Sequence, residues 1–559
     1  MPTCKNCQKE FIIGLIGQRI LATLKFPEPA VCDVCAMRLM MAYRNERTFY
    51  PRQCDSCHKQ IISMYPQKTP FTVYCRDCWW GDSWGGLNFS RGYSGPENFF
   101  IELKELQRQV PREALVNLNS LDCEYSNHIR DSKSCYMCSL CSDQCEECFH
   151  CYWIVTVKDS ADCYYGRDCE RCYFCVVIWR SYNCSYLLEA EDCLDCHYCY
   201  DLRGCKNCFL SSNLRNQSYV FANKQLTKAE YEAKVKGLRL GSYAQSQEYW
   251  QKWQELIKNS LHQYSYQTKC ENCTGDNMQN CVNVELGYNT FETENAWNSA
   301  SLLFARNVFN GFAIGSQPVD WASNVAVIKG GSQVVSCYNT VFSSDIYFCE
   351  NSVSCLDCLG CIGLHKKKFC ILNKQYSEDE YYKIKKELIE YWTKTGLISE
   401  FLPQAMAAFA YNETAAQDFY PMTKEEAIKF GYRWQAEMPG TFGKETFEAE
   451  QIPDDINEVK EDITDQVLSC TKCGKNYKVI KQELKLYRAL NIPIPRICQH
   501  CRHRQRLDLM GDRNLTERQC DCQSTSHKHD GRCSNRLVTK YKTGEKNVYC
   551  EECYQKEIY

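Results

Sequence analysis

The sequence predicts a mainly β protein with helices: a duplicated cysteine-rich parallel β-helix, a solenoid of about 21-residue coils, flanked at each end by paired zinc modules of the treble-clef and zinc-ribbon kind. Three observations predict it. Cysteine occurs 43 times in 559 residues, the start of the chain aligns on its end without a gap at an offset of 466, and central cysteines recur every 21 residues.

Cysteine at this density means a disulfide framework or metal binding, and compartment decides between them. The N-terminus, Met1-Pro2-Thr3-Cys4, carries no charged-then-apolar signal, and no apolar run approaches the ~18 residues of a membrane span. The chain therefore reads as cytoplasmic, with no membrane partner, in a setting where thiols stay reduced and paired cysteines bind metal.

The first module, residues 1-53, holds Cys4, Cys7, Cys32 and Cys35 as C-x2-C-x24-C-x2-C, and residues 470-518 repeat it with Cys470, Cys473, Cys498 and Cys501. Pro27 and Pro29 fall on Pro493 and Pro495, and Arg52-Gln53-Cys54-Asp55 on Arg518-Gln519-Cys520-Asp521. C-x2-C on a tight knuckle brings two sulfurs to one point, and two such pairs close a tetrahedron. A helix is predicted after each second pair, over 36-43 and 502-510, its N-terminal dipole stabilising the thiolates.

The second module, residues 54-95, holds Cys54, Cys57, Cys75 and Cys78; its counterpart, 519-559, holds Cys520, Cys533, Cys550 and Cys553. An insert there adds Cys522, His527 and His529, which leaves Cys522 as an alternative to Cys520 for the first ligand. Four quartets predict about four structural zinc ions. All-thiolate sets keep no open position, so they argue for structure rather than chemistry.

The centre divides into two solenoid halves with trailing helices, 96-262 and 263-437. An offset of 150 places Cys205, Cys208, Asn223-Lys224-Gln225 and Tyr231 on Cys355, Cys358, Asn373-Lys374-Gln375 and Tyr381. The segment Glu378 to Thr395 is the clearest helix, with Tyr381, Ile384, Leu388 and Tyr391 or Trp392 on one stripe, and another starts at the Thr423-x-x-Glu426 capping box. Within the first half, Cys163, Cys184 and Cys205, and likewise Cys151, Cys172 and Cys193, are 21 apart. Strand formers interrupted by Asp-Cys, Asn-Cys and Ser-Cys steps fit stacked strands with free cysteine as a small interior filler. The run Cys135-x2-Cys138-x2-Cys141-x3-Cys145 has iron–sulfur spacing but lacks the usual proline, since Glu146 follows it. Two C-x-x-C-H strings, ending at His58 and His197, match haem attachment but lie in a zinc module and in the ladder. Residues 438-469, with many acids and two prolines, are predicted as a linker.

Charge is uneven. Residues 470-518 hold twelve Lys/Arg against four Asp/Glu, whereas 79-469 hold thirty-six against fifty-three. Arg502, Arg504, Arg506, Arg513 and Arg518 are therefore candidates for phosphate-backbone contact, with a solubilising helix face as the alternative. No G-x-S-x-G, P-loop, G-x-G-x-x-G or H-E-x-x-H is present, so nucleotide, hydrolase and metalloprotease readings lack their motif.

The strings Cys470-x2-Cys473-Gly-Lys-x-Tyr-Lys-Val-Ile with Ile492-Pro-Ile-Pro-Arg-Ile-Cys498, and Val73-Tyr-Cys75-x2-Cys78-Trp79-Trp80 followed by Val110-Pro-Arg112, resemble uncharacterised zinc-ribbon or treble-clef proteins common in candidate-phyla (Patescibacteria) bacteria. The likeness spans most of the chain and implies zinc binding; the insert between Cys522 and Cys533 departs from it. The expected function is a non-enzymatic zinc-binding scaffold that contacts a protein partner or nucleic acid through its basic terminal modules. The alternative is an iron–sulfur electron-transfer protein using the central cysteines.

Overall fold

The computed structural model describes every residue except 143, 168, 316, 512 and 528, and at 142, 165 and 167 the backbone alone. The chain forms two compact units, each gathered from separated stretches. One comprises Met1–Leu115, Ser265–Met438 and Arg513–Leu515; the other comprises Val116–Tyr264, Pro439–Asp512 and Thr516–Tyr559. The two N-terminal cysteine modules thus belong with the second half of the centre, and the two C-terminal modules with the first half.

In the unit that carries the first half, strands from Ser139–Ser142 to Ser218–Phe221 make parallel pairs, and an antiparallel strand, Lys224–Gln225, closes the sheet. Ser139 pairs with Tyr152 at a step of thirteen, and from there on neighbouring strands pair at a step of twelve residues: Tyr164 with Val176, Val176 with Leu188, Leu188 with Tyr200. Each twelve is four triplets. Asn183, Tyr186, Glu189, Asp192, Asp195, Tyr198 and Asp201, every third residue, have φ between 50° and 55°. This left-handed region disfavours L-residues by roughly 1–2 kcal/mol each and is tolerated best by Asn and Asp. The residue after each such corner is buried: Cys184, Leu187, Ala190, Cys193, Cys196, Cys199 and Leu202. An Asp-Cys or Asn-Cys step is therefore a corner followed by an interior position.

The 21-residue coil expected from the cysteine spacing is corrected to twelve. Interior positions recur every third residue, so 21 is a multiple of the triplet without being the step between strands. Cys172, Cys184, Cys196 and Cys208 follow the true step, while buried Ser160 interrupts that column between Cys148 and Cys172, and buried Leu187 interrupts the next between Cys175 and Cys199, which hides it. Cysteine suits these positions because its thiol is small and donates weakly to main-chain carbonyls. Cys148 Sγ lies 3.4 Å from the Glu146 carbonyl and 3.2 Å from that of Val157.

The other unit repeats the pattern from Gln267–Thr268 to Lys368–Ile371, with one interior column aliphatic through Val284, Ala296, Val308, Ala322, Val334 and Ile346 before it ends in Cys358 and Cys370. Its step is twelve from Val282–Phe291 to Ala305–Ile314 and fourteen at the next strand. Both stacks end alike. Ala222-Asn223 and Leu372-Asn373 have positive φ, as a two-residue hairpin of the primed type requires, and each Asn Oδ1 accepts a backbone N–H at 2.8 Å, from Ser212 and Ile362. Capping boxes at Thr227/Glu230 and Ser377/Glu380 then start helices Lys228–Lys236 and Glu378–Thr395. Tyr381, Leu388 and Trp392 of the latter are buried as its stripe predicts, and Thr423 caps Lys424–Lys429.

The stretch 438-469 is no tether. Ile452, Ile456, Val459 and Ile463 are buried in one apolar cluster with Leu484, Tyr487 and Ile494. Apolar residues three or four apart outweigh the acids between them, which face outward.

Candidate metal centres

Four sets of cysteines bring all their sulfurs within 4.8 Å of one another: Cys4, Cys7, Cys32 and Cys35; Cys54, Cys57, Cys75 and Cys78; Cys470, Cys473, Cys498 and Cys501; and Cys520, Cys533, Cys550 and Cys553. Main-chain geometry makes them so. In the first three, the knuckle closes by a backbone bond from the residue four beyond the first cysteine to that cysteine's carbonyl: Gln8 to Cys4 at 2.9 Å, His58 to Cys54 at 3.0 Å, Gly474 to Cys470 at 2.8 Å. All three turn residues lie at positive φ, and only the third copy supplies the glycine that conformation favours.

The second pair enters from a helix. Cys32, Cys75, Cys498 and Cys550 each sit at the N-cap of a helix, Asp33–Ala42, Arg76–Trp80, Gln499–Met510 and Glu551–Ile558, and the fourth ligand lies in its first turn. In every copy the backbone N–H of the N-cap cysteine points at the first cysteine's sulfur, at 3.3, 3.2, 3.2 and 3.2 Å. Free N–H groups and the dipole of the helix start favour negative charge there. The largest shifts come from the neighbouring thiols, whose hydrogen bonds lower one member of a pair and raise the other. Cys35, donating to Cys32, draws it down to about 5, and Cys498 draws Cys470 down to about 4, each against the upward push of burial. Burial pushes Cys54 up, but the backbone N–H groups of Cys57, Cys75 and Ser56 outweigh it and bring that thiol to about 7.

The sulfurs fit a tetrahedral ion. Four thiolates at about 2.3 Å from a metal stand about 3.8 Å apart. Cys7 and Cys32 are 3.7 Å apart, Cys57 and Cys75 3.8 Å, Cys470 and Cys501 3.7 Å, and Cys533 and Cys550 4.0 Å. Among the described residues the central cysteines form no such group; in the run from Cys135 to Cys145 the first three cysteines are three residues apart and the last four, and they do not converge.

In the last module Cys520 holds the place of Cys54. Its N–H donates to the Asn535 carbonyl at 2.9 Å as that of Cys54 does to Lys59, and Asp521 accepts from Val548 at 2.9 Å as Asp55 does from Val73 at 2.7 Å. Cys522 instead lies in a different cluster with His527, His529 and Cys553.

The modules dock through helices. Ile16, Ile20 and Leu21 of Leu15–Leu24 pack on Trp297 and Phe309; Gly17 is required there, because a Cβ would stand 2.8 Å from the Trp297 ring. Met37, Met40 and Met41 pack with Ala300, Phe312 and Ala326. The positions 466 residues on from Ala36 and Met40 are Arg502 and Arg506, and here docking is ionic. Arg502 Nε is 2.6 Å from Asp162 Oδ2, Arg506 Nη1 is 2.9 Å from Asp162 Oδ1, and His150 Nε2 is 3.2 Å from Glu483 Oε1, all buried. Burial pushes the Asp162 carboxyl up, but Arg502 and Arg506 outweigh it and hold it below the usual range; His150 and Arg502 do the same for Glu483.

These contacts correct the expected phosphate-binding set. Arg502 and Arg506 are buried against Asp162; Arg513 is buried over the Phe419 ring at 3.5 Å; Arg518 is buried and paired with Asp521. Arg504 alone faces solvent, paired with Asp508 at 3.0 Å. Composition reads as a basic surface, but four of these five charges serve the interior.

Among the described residues no helix is long and apolar enough to cross a membrane. No protein-family model matches the chain, and a comparison with curated proteins finds no match.

Proposed function

We propose that the protein is a zinc-stapled scaffold: two parallel β-helices, each clasped by one treble-clef and one ribbon-like module, presenting surfaces to a protein partner in the cytoplasm. The recurrence of one arrangement in four modules carries the reading, with the N-cap cysteine N–H on the first sulfur and thiolate edges of 3.7–4.0 Å. Zinc suits such sets because it takes four thiolates tetrahedrally without redox chemistry. All 43 cysteines are free thiols, as metal ligands and core fillers need to be. The zinc-ribbon likeness in the sequence points the same way.

A role at nucleic acid would fall to Lys472, Lys478, Lys481 and Lys485, which are exposed, rather than to the arginines. The test of the scaffold reading is metal content by mass spectrometry on anaerobically purified full-length protein. Zinc in at least four equivalents without iron is expected; iron with sulfide would overturn the reading in favour of electron transfer.

A further inference from the structure

The last module departs from the others by an insert between its first two ligands, and the insert is itself built as a ligand set. Cys522, His527 and His529 gather with Cys553 so that one ligand atom from each lies within 4.8 Å of the others. Cys553 also closes the four-cysteine group with Cys520, Cys533 and Cys550. One thiolate therefore belongs to two tetrads.

Each histidine is oriented for ligation. His527 turns Nδ1 to Cys522 Sγ at 3.0 Å, and its Nε2 lies 3.4 Å from Glu557 Oε1. His529 turns Nε2 to Cys553 Sγ at 3.5 Å, and its Nδ1 lies 2.9 Å from the Gly531 carbonyl. An acceptor on one ring nitrogen fixes the proton there and frees the other for a metal, the usual outer support of a metal-bound imidazole. Cys522 is fully buried and His527 is 8% exposed.

Charge favours a second cation. One divalent ion among four thiolates carries a net charge of about −2. The Cys522 thiolate beside it would make that about −3, whereas a second divalent ion with two neutral imidazoles brings the whole to about −1. We propose that the C-terminal module is a two-metal centre: one zinc-class ion on Cys520, Cys533 and Cys550, a second on Cys522, His527 and His529, and the Cys553 thiolate bridging both. The inference rests on metal occupancy of the cysteine quartets. It makes the insert a metal-binding element in its own right.

Native mass spectrometry of the full chain loaded with zinc is expected to count five ions, and the His527→Ala/His529→Ala variant to count four. The full chain loaded with 113Cd should in addition show two cadmium resonances split by each other, a coupling that only a shared ligand transmits. That measurement needs no variant to fold. Four ions in both proteins, or five cadmium resonances with no mutual splitting, would overturn the bridge while leaving the quartets intact. Fewer than four ions in the parent chain would sink the scaffold reading beneath it and the bridge with it.

Discussion

Asp162→Asn should cost the unit that carries it far more than its size suggests. The carboxylate is fully buried between two guanidiniums, Arg502 at 3% exposure and Arg506 at 0%. Neutralising it strands positive charge in the interior; Glu483, 3.7 Å from Arg502, compensates that residue in part, while no second carboxylate is paired with Arg506 among the described contacts. Breaking a buried pair by removing one partner costs about 3–5 kcal/mol. At a urea slope of about 3 kcal/mol per molar, the midpoint should fall by about 1–1.7 M. The companion is Asp162→Asn/Arg502→Ala/Arg506→Met. It installs the residues the other unit uses: Ala36 and Met40 at the 466 offset, and Asn310, which like Asp162 is the fifth corner of its column counted back from the closing hairpin. Replacing a buried ionic group by apolar residues is often neutral, and Glu483 keeps His150 as its partner, so the triple variant should recover most of the loss. The assay is hydrogen exchange in graded urea, read on the helix Gln499–Met510, which reports this unit separately. A single variant that loses less than about 1 kcal/mol, or a triple variant as damaged as the single, would refute the reasoning.

Acid should act on the same cluster. Asp162 and Glu483 are held below the ordinary carboxylate range, so their stabilisation is present above about pH 4 and is lost as pH falls through the lowered values. Exchange protection of Gln499–Met510 should fade below that pH in the parent chain and change less in the triple variant. Chelation should open the terminal modules first, since metal in such a module supplies roughly 10–16 kcal/mol that is also folding energy. Limited proteolysis after EDTA is expected to cut within 1-80 and 470-559 while the stacks persist, and unchanged resistance of the modules would contradict this. At a corner, Asn295→Ala should cost about 1–2 kcal/mol through its φ of 53° and the lost bond to Asn307, and Asn295→Gly distinctly less; equal losses would mean backbone strain is not the cause.

The cysteine quartets were legible because a knuckle writes its geometry into two-residue spacing, and two copies in register exclude coincidence. The helix at Glu378–Thr395 and its box were legible for the same local reason. The strand step was not. A triplet repeat shows in the sequence only where cysteine occupies the interior, and Ser160, Leu187 and the aliphatic run Val284 to Ile346 break that signal without breaking the fold. The arginines misled because a charge count carries no information on burial: Arg506 reads like Lys485 until Asp162, more than three hundred residues earlier, stands beside it. The Cys522 ambiguity lay in treating the insert as a shift of one site, whereas Cys522 gathers with His527, His529 and Cys553 in a cluster of its own.

The make-up of the two units sets an order on synthesis. The N-terminal modules, complete by Leu115, belong with strands that begin only after Ser265, so about 150 residues must be added before their partner starts to emerge. At about 5–20 residues per second that is on the order of 10–30 s. Through that interval the faces of Leu15–Leu24 and Asp33–Ala42 that will meet Trp297 and Phe312 stay uncovered, and the first stack in turn waits for Pro439–Asp512. Modules that can close on an ion without the rest of the chain would hold their shape through that delay.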